Sequence, residues 1–392
     1  MSHQSRFAIY MIVDENFFAP AYVQAINILK IDHYDIHLFI EDTDDKILKI
    51  KSKLPPKIPN NLFLRFNQIS HLLPDNLPSK RHLPPIVYLR IFAPFVLTAY
   101  DKLLHLDADI HITGSLSSLE KINFENFTLA AVHDATMGVV LPKNTNQSSA
   151  DYDSARLIPL TRIGVNTGRY FNAGVMLINR KKWIEFDYYA ELQKYFSTYA
   201  DSAQLLDQDF LNYFFQKQWL ELSPTWNFQG RLIVHGLAVQ FDPVLIHYTA
   251  NSKPWHWGHF DLDDHSELIY RNLADQAGLH QIDFQLPKYS KNLSPLKIAK
   301  IRFHKWLFDL GIESNAARKK IKAWSLEHRH LVEFYERRIR SNIFADGHSK
   351  TLKFSDIKKL QPVFNGRIVV GKQYPDSAKK TFGTRTLTNP TI

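Results

Sequence analysis

The chain has 392 residues and no cysteine. Disulfide bonds and cysteine-ligated zinc are therefore excluded, and a bound metal must be held by oxygen or imidazole ligands. A chain without cysteine also fits a reducing compartment. No stretch reaches the roughly 20 consecutive apolar residues that a membrane-spanning helix needs. The apolar run from Phe7 to Val13 leads into Asp14 and Glu15 without a small-residue cleavage site. We therefore interpret it as a buried strand, not a signal peptide, and expect a cytoplasmic protein.

Several nucleotide-binding and catalytic signatures are also missing. No Gly-x-Gly-x-x-Gly follows the first apolar run, and there is neither a P-loop nor a Gly-x-Ser-x-Gly elbow. These absences disfavour a dinucleotide enzyme, a P-loop NTPase and a hydrolase with a nucleophile elbow. No repeat occurs at solenoid or propeller periods. The chemistry-bearing residues that remain are polar clusters at the ends of predicted strands.

Apolar strands alternate with helical segments in the first part of the chain. Strands are predicted at Phe7–Val13, Asp35–Ile40 and Leu62–Phe66, with helices at 20–30 and at Asp44–Lys51. This alternation is typical of a parallel sheet with helices on its faces, and it predicts an α/β fold. Further predicted elements are helices at 84–97, 181–199 and 205–216, and strands at Lys102–Leu106, 129–132, 171–178 and 244–248.

The triplet Asp107-Ala108-Asp109 directly follows the apolar strand Lys102–Leu106. Ligands of open α/β sheets gather at the carboxyl ends of strands, and Asp14 also follows a strand. Two carboxylates flanking a small residue can share one hard cation, and such a cation can bridge a diphosphate and neutralise its charge. Three-residue patterns arise often by chance, so the triplet alone does not establish an enzyme class.

A strand-ending Asp-x-Asp also occurs in metal-dependent phosphatases of the haloacid dehalogenase type. That interpretation needs Thr or Val two positions after the second Asp, where this chain has His111. No convincing acidic metal motif follows downstream. The phosphatase alternative is therefore disfavoured but stays open.

Four further sets of residues carry candidate chemistry, and each also has a plain structural explanation. His247 ends a predicted strand and fits a third metal ligand or a core histidine. Lys253 fits a phosphate contact or a surface lysine. The triplet Asp207-Gln208-Asp209 opens a predicted helix, where its charges complement the helix dipole or its polar groups meet a sugar. The segment Phe171-Asn172-Ala173-Gly174 is either a turn or a place where the backbone approaches substrate closely.

Six motifs occur in order along residues 6–275, and together they resemble those of glycosyltransferase family 8. The resemblance is strongest to the bacterial lipopolysaccharide galactosyl- and glucosyltransferases. It implies a Rossmann-like, GT-A type mixed sheet flanked by helices. The motifs are Val13-Asp14-Glu15-Asn16, Tyr88-Leu89-Arg90, Leu104-His105-Leu106-Asp107-Ala108-Asp109, Tyr170-Phe171-Asn172-Ala173-Gly174-Val175, Asp207-Gln208-Asp209, and His247-Tyr248 through Lys253-Pro254-Trp255.

The resemblance implies a UDP-hexose donor and a manganese ion, with magnesium as the alternative. The ion, which also binds both phosphates, is implied to have Asp107, Asp109 and His247 as its ligands. Asp14 and Asn16 are the implied contacts to uracil and ribose, and Lys253 is the implied contact to the diphosphate. Further implied donor contacts are Arg90, Ala108 and Ala250.

The sugar side of the site is implied in the same way. Asn172, Asp207 and Gln208 match residues around the donor sugar, and Asp134 matches a position near the sugar and the acceptor. One position departs from the family pattern, since members usually have Gly three residues after the metal histidine and this chain has Ala250. Alanine adopts a strained glycine conformation less readily, so the departure concerns the detailed phosphate contact.

The implied reaction is retaining transfer of galactose or glucose to a saccharide hydroxyl, with lipopolysaccharide or lipooligosaccharide core as acceptor. The transition state is expected to resemble an oxocarbenium ion. Gln208 stands where a retaining glycosidase would use a carboxylate, and an amide is a poor nucleophile. We therefore favour same-face attack, with Gln208 stabilising charge at the anomeric carbon and Asp209 as the alternative nucleophile. A non-catalytic protein of the same fold that binds nucleotide-sugar or saccharide stays open as well.

The last part of the chain is basic. Residues 288–340 hold 14 Lys and Arg against 5 Asp and Glu, and so carry the whole formal surplus of +9. Helical spacing is predicted at 296–310 and at Asn315–Arg340. We predict a catalytic domain over 1–287, a basic amphipathic helical segment over 288–345, and a C-terminal extension over 346–392 with a flexible tail.

The basic segment has two interpretations. Its helices either pack on the catalytic domain or dock on an anionic membrane, with Phe303 and Trp306 in the interface. We favour docking because the segment carries the charge surplus. The protein would then be peripheral on the inner face of the cytoplasmic membrane, within reach of a lipid-linked saccharide acceptor. No nucleic-acid partner is expected.

Overall fold

The computed structural model describes residues 6–80, 83–136, 160–165, 169–216, 218–235, 237, 241–249, 253, 272, 274–278 and 315–349, the last with side chains from 326 onward, and the backbone of 360–363 and 367–370. The strands are β1 Phe7–Val13, β2 Asp35–Ile40, β3 Leu62–Phe66, β4 Lys102–Leu106, β5 Ile110–Ile112, β6 Leu129–His133, β7 Phe171–Asn179, β8 Trp219–Leu222, β9 Phe228–Gln229, β10 Leu245–His247, β11 Leu360–Val363 and β12 Arg367–Val370. The α-helices are α1 Glu15–Ile31, α2 Asp44–Lys51, α3 Leu89–Val96, α4 Ser117–Glu120, α5 Arg180–Trp183, α6 Tyr188–Tyr199, α7 Asp207–Phe214, α8 Gly230–Val234 and α9 Asn315–Arg340.

A seven-stranded sheet has the order β3-β2-β1-β4-β7-β6-β8. Its strands are parallel except β7, which pairs antiparallel with both β4 and β6. This confirms the predicted α/β class with a mixed sheet. The chain moves outward from β1 to β3 and returns to β4 on the other side of β1, so the strand order reverses between β1 and β4. The carboxyl ends of these two strands meet there, at the usual position of a ligand crevice.

A smaller sheet has the order β5-β10-β9. β10 runs antiparallel to β5, with His247 opposite Ile110, and parallel to β9. The backbone N–H of Tyr248 donates to the carbonyl of Asp109 at 3.0 Å. This pairing carries a histidine from late in the chain to the residue that follows the acidic triplet.

The seven-stranded sheet is buried on both faces. Alternate residues of β1 point to opposite sides, so Ile9 and Met11 pack with α1 while Tyr10 packs with α3. A strand covered on both faces is expected to be apolar throughout, which explains the unbroken apolar run at the start of the chain. The rigid core on both sides fixes the strand ends that carry the polar residues.

Most predicted strands are confirmed, whereas several helix boundaries were wrong. The first helix begins at Glu15 and not near residue 20, because the Asp14 side chain caps it by accepting from the N–H of Phe17. The predicted helix 181–199 is two helices, since Asp187 caps the second by accepting from the N–H of Ala190.

Two further helices are shorter than predicted. The segment 84–97 begins as a 3-10 turn at Pro85–Tyr88 and becomes helical at Leu89. The segment 205–216 forms a helix only from Asp207, because Leu206 has φ +43° and cannot extend it.

The predicted helix at Asn315–Arg340 is present as α9. Its residues Leu331, Tyr335 and Ile339 are buried in one cluster with Leu232 of α8 and Phe241. This half of the basic segment therefore packs on the protein. The predicted helix at 296–310, with Phe303 and Trp306, and the predicted tail lie outside the described residues, so membrane docking stays a prediction. Among the described helices, none combines the length and apolar character needed to cross a bilayer.

Candidate active site

Two carboxylates and one imidazole converge at the end of β4. One ligand atom from each of Asp107, Asp109 and His247 lies within 4.8 Å of the others. His247 Nε2 is 3.2 Å from Asp109 Oδ1 and 3.9 Å from Asp107 Oδ2. The structure thus brings together the three residues that the sequence suggested as metal ligands, although His247 lies 138 positions after Asp109.

The orientation of the His247 ring is fixed by a hydrogen bond at Nδ1, the nitrogen that does not face the two carboxylates. Its Nδ1 lies 3.0 Å from Oδ1 of Asn227, and the Asn227 amide donates to Oδ1 of Asn172 at 2.9 Å. Since Asn227 Oδ1 is an acceptor, Nδ1 carries a proton and donates it. In the neutral imidazole the lone pair is then on Nε2, the atom that faces the two carboxylates. Metal-binding histidines are commonly held in this way.

The space around the cluster also fits a bound cation. Gly174 on β7 lies so close that an added Cβ would be 2.3 Å from His247 Cε1 and 2.7 Å from Asp107 Oδ2. A side chain at this position would fill the space between two of the three ligands. Oxygen and imidazole together suit manganese, zinc or iron, and a cysteine-free site makes the harder ions the better fit.

An arginine, a lysine and two histidines surround the two carboxylates. Arg90 Nη1 is 3.2 Å from Asp107 Oδ1, and His105 Nε2 is 3.3 Å from the same oxygen. Burial alone would raise the pKa of Asp107, but Arg90 and the nearby histidines outweigh it and hold this pKa well below its usual range. Lys253 Nζ contacts Asp109 and also donates to the Tyr248 carbonyl at 2.6 Å. Burial alone would raise the pKa of Asp109, but Lys253 and His247 outweigh it and lower this pKa to about 2.

A second polar cluster lies beside the first, and Arg90 joins the two. Arg90 Nε is 3.0 Å from Asp207 Oδ2, and Arg90 Nη1 donates to the carbonyl of Ala173 at 3.1 Å. Burial is the largest influence on Asp207 and raises its pKa to about 6, which Arg90 only partly offsets. The shared guanidinium therefore fixes the start of α7 relative to the acidic triplet.

Gln208 and Asp134 form the centre of this second cluster. Gln208 Oε1 accepts from the N–H of Ala173 at 2.9 Å, and its Nε2 donates to Asp134 Oδ2 at 3.3 Å. Asn172 Nδ2 donates to the same Asp134 oxygen at 3.4 Å. Gln208, Asp134 and Asn172 thus lie in one hydrogen-bonded network and are each 7–8% exposed, and Asp207 is joined to it through its ion pair with Arg90.

Asp209 is bonded on both of its carboxylate oxygens. Oδ1 accepts from the Tyr170 hydroxyl, and Oδ2 accepts from the N–H groups of Gln204 at 2.6 Å and Leu205 at 2.8 Å. Burial outweighs these hydrogen bonds and raises the pKa of Asp209. The Tyr170 hydroxyl also receives a hydrogen bond from Gln208 Nε2 at 3.3 Å. Asp209 therefore supports the loop that precedes α7 and, through Tyr170, the Gln208 side chain.

The residues suggested for uracil and ribose lie at the end of the neighbouring strand. Asp14 follows β1 and is half-buried, and Asn16 is exposed and donates to Asp14 Oδ2 at 3.0 Å. Since β1 and β4 are adjacent and parallel, Asp14 and Asp107 lie at one edge of the sheet. Ala108 is buried between the two triplet carboxylates. Ala250 lies outside the described residues, so its departure from the family pattern is untested.

Sequence reasoning gave no role to several residues that hold the site together. Tyr170 and His105 stand inside the quoted motifs, so their positions in the sequence could have identified them as site residues. Asn227 carries no such signal, because it lies outside those motifs and precedes the short strand β9. Its function depends on the pairing of β9 with β10, which places it behind His247.

Comparison with known proteins gives one family. A family model described as glycosyl transferase family 8 matches residues 8–258. The glycosyltransferase GlyF of Streptococcus pneumoniae serotype 4 is 25% identical over 272 residues, which are 64% of this chain and 61% of that protein. The lipopolysaccharide 1,2-glucosyltransferase of Escherichia coli is 25% identical over 295 residues, covering 69% of this chain and 79% of that protein. The lipopolysaccharide 1,3-galactosyltransferase of Salmonella typhimurium is 27% identical over 201 residues, covering 48% and 55%.

Solved structures show the same fold. The galactosyltransferase LgtC in complex with donor and acceptor sugar analogues matches with a TM-score of 0.52 at 23% identity, covering 69% of this chain and 95% of that chain. An active-site mutant of LgtC matches with a TM-score of 0.54 at 22% identity and the same coverage. At this level of identity the likeness establishes the GT-A type fold and leaves substrates to be argued from the site.

Proposed function

The chain belongs to glycosyl transferase family 8, and we propose that it is a metal-dependent, retaining hexosyltransferase that uses UDP-galactose or UDP-glucose. The observation that carries the proposal is the joining of two clusters by Arg90. Asp107, Asp109 and His247 lie on one side of this residue, and the network around Gln208 lies on the other. A diphosphate and its sugar need two such adjoining environments.

The first environment would hold the metal ion and the diphosphate. Asp107, Asp109 and His247 would bind the ion, which when bound neutralises charge on the departing diphosphate. His105 and Arg90 orient Asp107, and Asn227 keeps His247 Nε2 directed at the carboxylates. Lys253 pairs with Asp109 and, within the described part of the chain, is a cation that would also contact a phosphate oxygen.

The second environment would hold the donor sugar and the acceptor. We propose same-face substitution, in which the bond from the anomeric carbon to the phosphate oxygen breaks and a bond to the acceptor oxygen forms. The acceptor proton passes to the departing phosphate. The Gln208 amide, held by Ala173 and Asp134, stabilises positive charge at the anomeric carbon. Asp134, Asn172 and Asp207 would bind sugar hydroxyls.

Asp209 is not the nucleophile in this proposal. Both of its oxygens are already hydrogen-bonded, and the carboxylate is 3% exposed. Attack on the sugar would require it to release the backbone of the loop that positions Gln208. The arrangement supports a structural role better than a chemical one.

The acceptor is proposed from the relatives. Two of them are lipopolysaccharide glucosyl- and galactosyltransferases, so we propose a lipopolysaccharide or lipooligosaccharide core saccharide. Binding of the full-length protein to anionic vesicles, and not to neutral ones, would support a lipid-linked acceptor at a membrane surface. The phosphatase alternative loses its support, because the family match includes the acidic triplet together with the other motifs.

The proposal is tested by release of UDP. The purified chain is incubated with UDP-galactose or UDP-glucose, with and without Mn²⁺, in the presence of lactose as a probe acceptor. We expect metal-dependent release from one donor and a loss of about a thousandfold in Asp107→Ala, because one ligand of the ion is removed. Asp201→Asn, an exposed carboxylate outside the site, is the control. Binding of UDP-hexose without any release would favour a non-catalytic binding protein, and retention of anomeric configuration is read from the product.

A further inference from the structure

Residues 326–349, which we call the C-terminal clasp, lie beyond residues 8–258 that the family model matches. They comprise the second half of α9 and the turns that follow it. Most of their apolar side chains are as buried as those of the sheet, whereas Ile343 is exposed. The clasp side chains Leu331, Val332, Phe334, Tyr335, Ile339 and Phe344 form one cluster with Ala135, Phe228, Leu232, Leu237 and Phe241.

Buried charges attach the clasp to β8. The Glu221 side chain is 0% exposed, and Arg338 Nε donates to its Oε1 at 2.5 Å. Arg169 Nε lies 3.9 Å from the other Glu221 oxygen. The carbonyl of Glu221 also accepts from the N–H of Ala345 at 2.9 Å. A fully buried carboxylate needs its partners, so Glu221 and the clasp depend on each other.

The two ends of the clasp are attached as well. Asp346 accepts from the N–H of Ser223 at 2.9 Å, from its hydroxyl at 2.6 Å, and from Trp226 Nε1 at 3.1 Å. At the other end, Glu327 lies 2.9 Å from both Arg231 Nε and His235 Nε2. The clasp is therefore held along its length to β8, to α8 and to the segment between them.

The centre of the clasp contacts the residue that precedes Asp134. The rings of Phe334 and His133 are 4.8 Å apart, and His133 Nδ1 donates to the Asp134 carbonyl at 3.0 Å. Gln229 binds both sides of the same residue, since it donates to the His133 carbonyl at 3.0 Å and accepts from the N–H of Ala135 at 2.9 Å. The contacts thus pass from Phe334 through His133 to the backbone of Asp134.

Asp134 stands just past an irregularity of the sheet, and its N–H donates to the Tyr170 carbonyl at 2.8 Å. The register between β6 and β7 shifts between Ala131 and His133. Such a bulge re-aims the residues that follow it. The Asp134 carboxylate in turn receives hydrogen bonds from Gln208 and Asn172.

We infer that the C-terminal clasp, through Phe334 and His133, positions Asp134 and Gln208 for glycosyl transfer. Phe334 is a positioning residue and touches no substrate. The inference rests on the proposed function, in which these two residues face the sugar. It also makes residues 326–349 a working part of the catalytic domain, separate from any docking role of residues 288–314.

The test compares two matched substitutions in the full-length chain, Phe334→Leu and Phe344→Leu. Both residues are buried in the same cluster, at 3% and 4% exposure, but the ring contact with His133 belongs to Phe334. Amide hydrogen exchange of residues 129–136 is measured first. UDP release with Mn²⁺ then gives kcat and donor KM, and thermal unfolding measures the stability that each variant loses.

We expect faster exchange at 129–136 and a loss of about tenfold in kcat for Phe334→Leu, with donor KM changed less than about twofold. Phe344→Leu should leave both close to the wild-type values. Equal losses of kcat in the two variants, or unchanged exchange at 129–136 in Phe334→Leu, would overturn the inference. If Phe334→Leu does not fold, Phe334→Met and Phe344→Met repeat the comparison with less lost volume. If the wild type releases no UDP, the proposed function fails, and hydrogen exchange alone still decides whether the clasp supports Asp134.

Discussion

Carboxylates lie on both sides of Arg90, and their pKa values are lowered on one side and raised on the other. Asp107 faces Arg90, His105 and His247, and these groups keep its pKa well below the usual range despite burial. Asp207 has Arg90 as its nearby cation, and burial raises its pKa to about 6. The pKa of Asp209, on the same side as Asp207, is also raised by burial. The aspartate side chains thus suit cation binding on the first side and hydrogen bonding on the second.

The difference follows from the elements that supply each side. The metal side is assembled by β4 and β10, whose ends carry two histidines and stand near Lys253. The sugar side is assembled by β7 and α7, whose partners are amides, a tyrosine and backbone groups. Arg90 serves both sides; beyond it, Lys253 and two histidines face the carboxylates of the first side, whereas hydrogen bonds hold Asp209 on the second.

Among the substitutions that leave all three suggested metal ligands in place, the largest expected effect comes from closing the metal side sterically. Gly174→Ala would place a Cβ 2.3 Å from His247 and 2.7 Å from Asp107, so at least one ligand must move. We expect UDP release to fall about a hundredfold, because small displacements of reacting groups are costly. The concentration of Mn²⁺ needed for half-maximal release should rise as well.

Gly114→Ala is the matched control for this substitution. Among the residues that the structure describes, an added Cβ at residue 114 meets Val244 alone, at 3.6 Å or more, which is ordinary contact. Activity of Gly174→Ala within about threefold of the wild type would show that the metal side tolerates more displacement than the geometry indicates.

The sugar side is probed by comparing Asp209→Asn with Tyr170→Phe. If Asp209 acts by positioning, both variants disturb the same support of Gln208, and we expect kcat to fall about tenfold in each. Loss of a buried hydrogen-bond partner should also lower the free energy of unfolding by about 1–3 kcal/mol in Asp209→Asn.

A different pattern would assign chemistry to Asp209. If Asp209→Asn lowers kcat by more than about a thousandfold while Tyr170→Phe remains nearly active, the carboxylate itself attacks the sugar. Denaturant unfolding of both variants separates this outcome from a loss of folded protein.

The smallest expected effect concerns the pH dependence of stability in metal-free protein. A carboxyl whose pKa is raised on folding binds its proton more tightly in the folded state. Its contribution to stability is therefore present below the unfolded pKa of about 3.9 and is lost as the pH rises through about 6. Relative to wild type, Asp207→Asn should gain about 1 kcal/mol of unfolding free energy at pH 7.5 compared with pH 5.

Urea unfolding at the two pH values in EDTA measures this difference. Both proteins carry the same histidines, so the contribution of these residues cancels in the comparison. Asp201→Asn, which is exposed, should follow the wild type at both pH values. If the difference in unfolding free energy between wild type and Asp207→Asn is the same at both pH values, Arg90 neutralises Asp207 as well as it does Asp107.

Much of the site was predictable because its residues stand next to recognisable strands. Asp14 and Asp107 follow apolar runs, and parallel neighbours bring such ends together. His247 was suggested by its strand and by resemblance, whereas its actual neighbour Asn227 was not. The helix boundaries were wrong where a capping side chain or the positive φ of Leu206 overrode the apolar spacing.

The sequence by itself determined the α/β class, the family and the order of the polar motifs, because apolar periodicity and short motifs are local properties. The tertiary structure decided which of those residues share an environment. Antiparallel pairing of β10 with β5 brings His247 to Asp109, and Arg90 reaches both Asp107 and Asp207. The contact of Phe334 with His133 likewise joins residues about 200 positions apart. Such contacts depend on how whole elements pack, and no local pattern records that packing.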